Sequence, residues 1–154
     1  MSVPPIPAGY RSVTPYLCVD GAAQAIEFYV KVFGAKERMR LTTPEGGIGH
    51  AEIEIGDSVV MLGDPWPEGG FTAPGGTATA IMVHLYVADA DTVFARALAA
   101  GAEVVQPIET RFYGDRGGTI RDPFGQRWHI ATHVEDVSEE EVRSRLAATS
   151  AASA

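Results

Sequence analysis

The sequence predicts an α+β fold built from two copies of one βαβββ module, and three observations support this. A strand, an amphipathic helix closed by glycine, and three further strands occur twice in the same order. The copies keep a common spacing. Leu17 and Leu85, Val19 and Val87, Asp57 and Gly125, and Met61 and His129 are each 68 positions apart. The helix-closing Gly34 and Gly101 are 67 apart, which one deletion in the helical region reconciles. Between the copies, Gly63 to Gly76 holds Pro65, Pro67, Pro74 and five glycines, a composition that ends regular structure.

Residues 1–12 form a proline-rich arm with Pro4, Pro5 and Pro7. Module one is expected over 13–63. Its first strand, Val13 to Val19, is β-branched and aromatic, and Pro15 assigns it to a sheet edge because proline offers no N–H to a second neighbour. Asp20 and Gly21 break it. From Ala22 to Phe33, the residues Ile26, Tyr29, Val30 and Phe33 recur at helical spacing, and Gly34 follows where a C-terminal cap belongs. Strands Arg38 to Thr42, His50 to Ile55 and Ser58 to Leu62 complete the module, the last two joined by a tight turn at Gly56 and Asp57.

A linker over 64–80 precedes module two at 81–137. The order repeats there: strand Ile81 to Val87, helix Ala90 to Ala100 with Val93, Phe94, Ala97 and Leu98 on one face, Gly101, and a strand around Val104. Gly114 to Gly118 reads as a hairpin loop whose Asp115 and Arg116 pair with each other. Strands Gly118 to Arg121 and Gln126 to Thr132 flank the turn Asp122-Pro123-Phe124-Gly125. Over 138–154, Ser138 with Glu141 forms a capping box opening a short helix, and a frayed tail is expected from Ala147.

At 154 residues, with 45% hydrophobic and 21% charged side chains, the chain can bury a core. Its net charge of -8 disfavours a nucleic-acid backbone or an anionic bilayer as partner. Cys18 is the only cysteine, so no intrachain disulfide forms and a reducing compartment fits. Met1 to Tyr10 show no basic cluster followed by an apolar run, so neither a signal peptide nor a span is expected there, and a soluble, cytoplasmic protein is.

The run VTPYLCVDGAAQAIEFYVKVFGA resembles the opening of the vicinal oxygen chelate superfamily, which includes the glyoxalase, bleomycin resistance and dioxygenase proteins. The run YGDRGGTIRDPFGQRWHIATHVEDVS resembles the closing signature of its PhnB-like branch, except that Gln126 stands where that motif has His. The resemblance implies a curved, mixed or largely antiparallel sheet around a small-molecule cavity, with helices on the convex side, and a homodimer. It also implies that metal-using members place one ligand on the first and last strands of each module. The matching positions here are Thr14, Met61, Met82 and His129. Two thioethers and a neutral hydroxyl lack the donors a hard divalent ion requires, so no metal and no other cofactor is expected. Glyoxalase I chemistry and extradiol dioxygenation are disfavoured accordingly.

Strand alternation places Tyr16, Cys18, His84 and Tyr86 on the same face as Thr14 and Met82, with His50, Glu52 and Glu54 joining from the neighbouring strand. The expected ligand-binding set is therefore Thr14, Tyr16, His50, Glu52, Met61, Met82, His84 and His129. His50, Glu52, His84 and His129 also admit a relocated metal site, though their spacing is not diagnostic. Trp66 and Phe71 sit in the connector, where they could cover a ligand or dock on the sheet. His133, Glu135 and Asp136 read as a solvated exit. Three functional readings remain open. One is a metal-independent protein that sequesters an antibiotic or other small organic molecule. Another is an enzyme of lyase, isomerase or methyl-transfer-related type on the same scaffold, metal-free or with the relocated site. The third is a structural or regulatory protein whose cavity is filled by the two methionines. No partnered nucleophile is visible, so the catalytic residues stay unassigned.

Overall fold

A computed structural model describes residues 2–152. The chain divides into two compact units, Met1–Ala80 with Pro123–Gln126, and Ile81–Asp122 with Arg127–Ala154. The first contains β1 (Tyr16–Cys18), α1 (Ala22–Phe33), β2 (Lys36–Thr42), β3 (Ile48–Ile55) and β4 (Ser58–Gly63), followed by a single 3-10 turn at Pro67–Gly69. The second contains β5 (Met82–Tyr86), α2 (Ala90–Ala99), β6 (Glu103–Thr110), β7 (Asp115–Arg121), β8 (Arg127–His133) and α3 (Glu139–Ala152). This is the α+β fold of two βαβββ modules that the repeat predicts.

Each unit holds one mixed four-stranded sheet, ordered β1-β4-β3-β2 in the first and β5-β8-β7-β6 in the second. β1 runs parallel to β4, β5 runs parallel to β8, and the remaining neighbours are antiparallel. The registers repeat with the sequence. Tyr16 faces Met61 and Leu17 faces Leu62, while His84 faces His129 and Leu85 faces Ile130, all at the 68-residue spacing. β1 lies at the edge as expected but starts at Tyr16 rather than Val13. Pro15 contributes only its carbonyl, which accepts the Met61 N–H at 2.9 Å.

In the first unit, Leu17, Ala51, Ile53, Val60 and Leu62 form the buried sheet face beside α1. The helix buries Ala22, Ala25, Ile26, Phe28, Tyr29 and Val32. Val30, expected on that face, is 44% exposed, and Phe28 and Val32 take its place because the stripe is set by Ala22, Ala25, Tyr29 and Val32 at three- and four-residue steps. Phe124 packs edge-on against Phe28 and Tyr29, with ring centroids 6.2 and 6.5 Å apart. The Gln126 amide donates to the Cys18 carbonyl at 2.8 Å, which gives that departure from the family motif a structural role. In the second unit, Phe94 and Ala97 of α2 are buried with Ile120, Trp128 and Ile130, and the Trp128 indole N–H donates to Asp122 Oδ2 at 2.9 Å.

α1 and α2 each open on a side chain at, or just beyond, the C-terminal end of the last strand of their own module. Asp64 Oδ1 accepts the Gly21 and Ala22 N–H groups at 3.1 and 2.9 Å, and its Oδ2 accepts the Ile48 N–H at 2.6 Å. Thr132 Oγ1 accepts the Ala90 N–H at 2.8 Å and donates to the Val87 carbonyl at 2.9 Å. Ala22 and Ala90, like Asp64 and Thr132, are 68 residues apart, so this contact is duplicated along with the strands, while α2 has in addition a cap of its own in Asp89, whose Oδ1 accepts the Thr92 N–H at 3.2 Å.

Three expectations need correction. Gly114 to Gly118 is not a hairpin loop, because β7 begins at Asp115. Gly118 is a strand glycine where a Cβ would lie 2.8 Å from the Phe94 ring, so it marks a close approach rather than a turn. Asp115 and Arg116 do not pair with each other; Arg116 instead binds Asp91 at 2.7 and 2.9 Å. Finally, Ser138 does cap α3 by accepting the Glu141 N–H at 3.1 Å, but the helix continues through the expected frayed tail to Ala152. Glu139–Arg143 and Glu141–Arg145 pairs line it, and Arg145 also donates to Glu135 and to the Phe112 carbonyl. Residues 153 and 154 of that tail lie outside the described residues, as does Met1. Among the described residues, no helix is long and apolar enough to cross a membrane.

Asp64→Ala leaves three backbone N–H groups without their acceptor, so it should destabilise the protein by about 1–3 kcal/mol, measured as a lowered urea midpoint. Thr132→Ala should cost about 1 kcal/mol by the same measurement.

Candidate functional site

Opposite its helix, each sheet presents one cross-strand row at an equivalent position. In the first unit the row is Tyr16, Met61, Glu52 and Met39. In the second it is His84, His129, Thr119 and Gln106. The pleat brings these residues together because each is two residues from the next outward position on its strand.

The first row continues into a hydrogen-bonded relay. Tyr16 Oη lies 2.7 Å from His50 Nδ1, His50 Nε2 lies 2.9 Å from Glu52 Oε2, and the Tyr10 hydroxyl donates to Glu52 Oε1. A carboxylate only accepts, so His50 Nε2 donates to Glu52. Glu52 is 4% exposed. Burial alone would raise its carboxyl, but the hydrogen bonds from Tyr10 and His50 and the charges of His50 and Arg38 outweigh this and hold it below the usual carboxylate range. Burial pushes the Tyr16 phenol up, with Glu52's charge adding to the effect. Met61 is half-buried in the row, and Thr14 is half-buried just ahead of β1.

In the second unit, His129 Nδ1 lies 2.9 Å from Thr119 Oγ1, and Thr119 donates to Gln106 Oε1 at 3.3 Å. That direction makes His129 Nδ1 the donor and leaves Nε2 with a lone pair, which is buried and without a partner. Burial lowers the His129 imidazole, and His84 and Arg111 lower it further against the opposing pull of Asp115. A Cβ on Gly117 would come within 2.9 Å of that Nε2, so the glycine makes room for the ring. The His84 ring sits 4.8 Å from His129 and 4.7 Å from Tyr86. Tyr86 Oη donates to Asp115 Oδ2 at 2.8 Å, and His133 bridges Asp115 and Asp136 at 2.8 and 2.7 Å. With a carboxylate on each ring nitrogen, His133 holds two protons, and the bonds to Asp115 and Asp136 push it above the usual imidazole range. Met82 faces Arg127, outside the His84–His129 row.

The expected ligand set therefore falls into two groups: Tyr16, His50, Glu52 and Met61 share one face, and His84 and His129 share another, with Met82 beside Arg127. Tyr10, Asp115 and His133 were not anticipated. Extending β7 back to Asp115 would have exposed the latter two, because Asp115 faces His133 in register. No pattern in the arm marks Tyr10.

Beside the first relay lies a cavity of ≈ 670 Å³ lined by Tyr16, Ile48, Trp66 and Phe71, with Thr43, Glu45 and Asp64 as polar members. The connector builds its wall. Trp66 and Phe71 pair as an antiparallel bridge, and Phe71 meets Tyr16 edge-on at 5.3 Å and 88°. Gly69 lies beneath the Trp66 indole, where a Cβ would sit 2.2 Å from the ring.

The model of the Glyoxalase/Bleomycin resistance protein/Dioxygenase superfamily matches residues 11–130. The chain belongs to this superfamily. Rv0887c of Mycobacterium tuberculosis is 42% identical over 141 residues, covering 88% of this chain and 82% of the relative. The crystal structure of TioX from Micromonospora sp. ML1 is 29% identical with a TM-score of 0.63, covering 80% of this chain and 99% of that one. The PhnB protein from Bacillus cereus shares the fold at 21% identity and a TM-score of 0.61, covering 79% of this chain and 99% of its own.

The resemblance implies Thr14, Met61, Met82 and His129 as the counterparts of the superfamily's metal positions. These donors do not fit a hard divalent ion. Two are thioethers, one is a neutral hydroxyl, and Met82 has the Arg127 guanidinium as its cross-strand neighbour. The relocated set is split between the two sheets, and among the described residues no three His, Cys, Asp or Glu side chains form a cation site.

Two of the shifted groups, Glu52 and His133, give opposite pH signatures. Glu52, lowered in the fold, contributes stability that is present above its unfolded pKa and lost as pH falls through the folded one. His133, raised in the fold, contributes stability that is present below its unfolded pKa and lost as pH rises through the folded one. Glu52→Gln should therefore shrink the loss of urea midpoint between pH 7 and pH 4, and His133→Asn should shrink the loss from about pH 6 to pH 8.5. Unchanged slopes in both variants would contradict these assignments.

Proposed function

We propose that the protein binds a small organic molecule without a metal and sequesters it, an antibiotic or comparable compound being the natural cargo. The observation that carries this reading is the ≈ 670 Å³ cavity walled by Tyr16, Trp66 and Phe71. Its size lies within the range of sites that take drug-sized ligands, and its apolar walls with a few polar groups match their usual chemistry. Donors unsuited to a hard cation support metal independence. A buffered library of aromatic and peptide compounds, screened by thermal shift, should give saturable stabilisation approaching about 2.7 kcal/mol at a hundredfold excess over Kd. The bound compound should be recovered unchanged. Trp66→Ala should weaken binding by about 1–2 kcal/mol while leaving the melting temperature of the free protein within a few degrees. A library without hits, or Trp66→Ala binding as tightly as the native chain, would refute the reading.

His129 favours a second reading, a metal-free enzyme of isomerase or lyase type. Its Nε2 is buried and unpartnered, Thr119 fixes its tautomer, and its surroundings keep it neutral, which are the attributes of a proton acceptor. Under this reading the library hit is consumed, and His129→Gln abolishes turnover while retaining binding within about threefold.

A further inference from the structure

We infer that the cavity of the first unit selects a flat aromatic ligand bearing a positive charge. This inference rests on the binding role proposed above and specifies the ligand class for that cavity.

The walls supply stacking surface. Tyr16 and Phe71 are locked edge-to-face, and Trp66 is held against Phe71 by the backbone bridge and over the turn by Gly69, so three rings are positioned before any ligand arrives. Trp66 is 62% exposed although its backbone is fixed, which leaves an indole face available to a planar partner. Ring faces of this kind attract cations through the quadrupole of the π-system.

The charged members of the lining are Glu45 and Asp64, and among the described residues no Lys, Arg or His belongs to it. The two carboxylates play different parts. Asp64 is committed to the Gly21, Ala22 and Ile48 N–H groups, and the positive end of α1 offsets its charge. Glu45 stands exposed on the β2–β3 hairpin, where its charge can face a ligand. Thr43 Oγ1 already accepts the Gly47 N–H at 3.1 Å, and the Tyr16 hydroxyl is engaged by His50. The lining therefore offers negative charge and ring faces, and each of its side-chain hydroxyls already makes one bond within the protein. An anionic ligand would meet Glu45 with no countercharge, a neutral ligand would gain stacking alone, and a cation would gain both.

Three tricyclic probes of one shape separate these cases: 9-aminoacridine as the cation, acridine as the neutral ring near pH 7.5, and acridine-9-carboxylate as the anion. Binding to the full chain is measured by calorimetry at low and high salt. The cation should bind about tenfold tighter than acridine, and the carboxylate most weakly. Glu45→Gln, at an exposed position, should cut the preference for the cation over acridine to within about threefold, as should raising the salt from about 20 mM to 500 mM. Trp66→Ala should weaken the cation and the neutral ring together. Equal binding of the three probes, or a preference for acridine or the carboxylate, overturns the charge selection while leaving the binding role intact. Failure of all three to bind also overturns the inference, whereas the binding role itself stands or falls on the wider library and on Trp66→Ala.

Discussion

A helix that starts against a sheet has N–H groups with no partner in its own turn, and here a residue at or just beyond the end of the last strand of each module supplies one. Asp64 does this for α1 and Thr132 for α2. The constraint is severe, because the acceptor must come from about forty residues downstream and reach the helix only if the first and last strands pair in parallel and in register. Once that pairing holds, the order of the remaining strands and the burial of Leu17, Leu62 and Ile130 follow from alternation. In the first unit the same carboxylate also holds the Ile48 N–H, so the start of α1, the entry to β3 and the cavity wall share one group.

The duplicated frame carries two different chemistries. Where the first row has Tyr16, Met61 and Glu52, the second has His84, His129 and Thr119. The first is a closed relay in which each polar atom finds a partner, and it stands beside an aromatic cavity. The second leaves a buried nitrogen open. The same strand frame thus carries an aromatic cavity in one unit and a buried, unpartnered imidazole nitrogen in the other.

Much of the fold was legible in the sequence because it depends on periodicity and punctuation. The 68-residue spacing, the glycines after both helices and the turns at Gly56 and Asp122 are local signals, and each marks an element the structure contains. Misreadings arose where one residue serves two purposes. Gly117 and Gly118 resemble turn residues but are strand positions cleared for His129 and Phe94. The site was legible only as a list of faces. Alternation identified His50 with Glu52 and His84 with His129, but Tyr10, from an arm without periodicity, and the Asp115–His133 contact depend on long-range register that no local pattern encodes.

Gly117 occupies in β7 the place that His50 holds in β3, one row beyond Thr119 and Glu52 respectively. Even a methyl group there would press on the Ile130 carbonyl, on His129 Nε2 and on the Ala131 side chain, so the neighbouring strand itself closes position 117 to side chains. A row that carries an imidazole in the first unit is thereby held bare in the second.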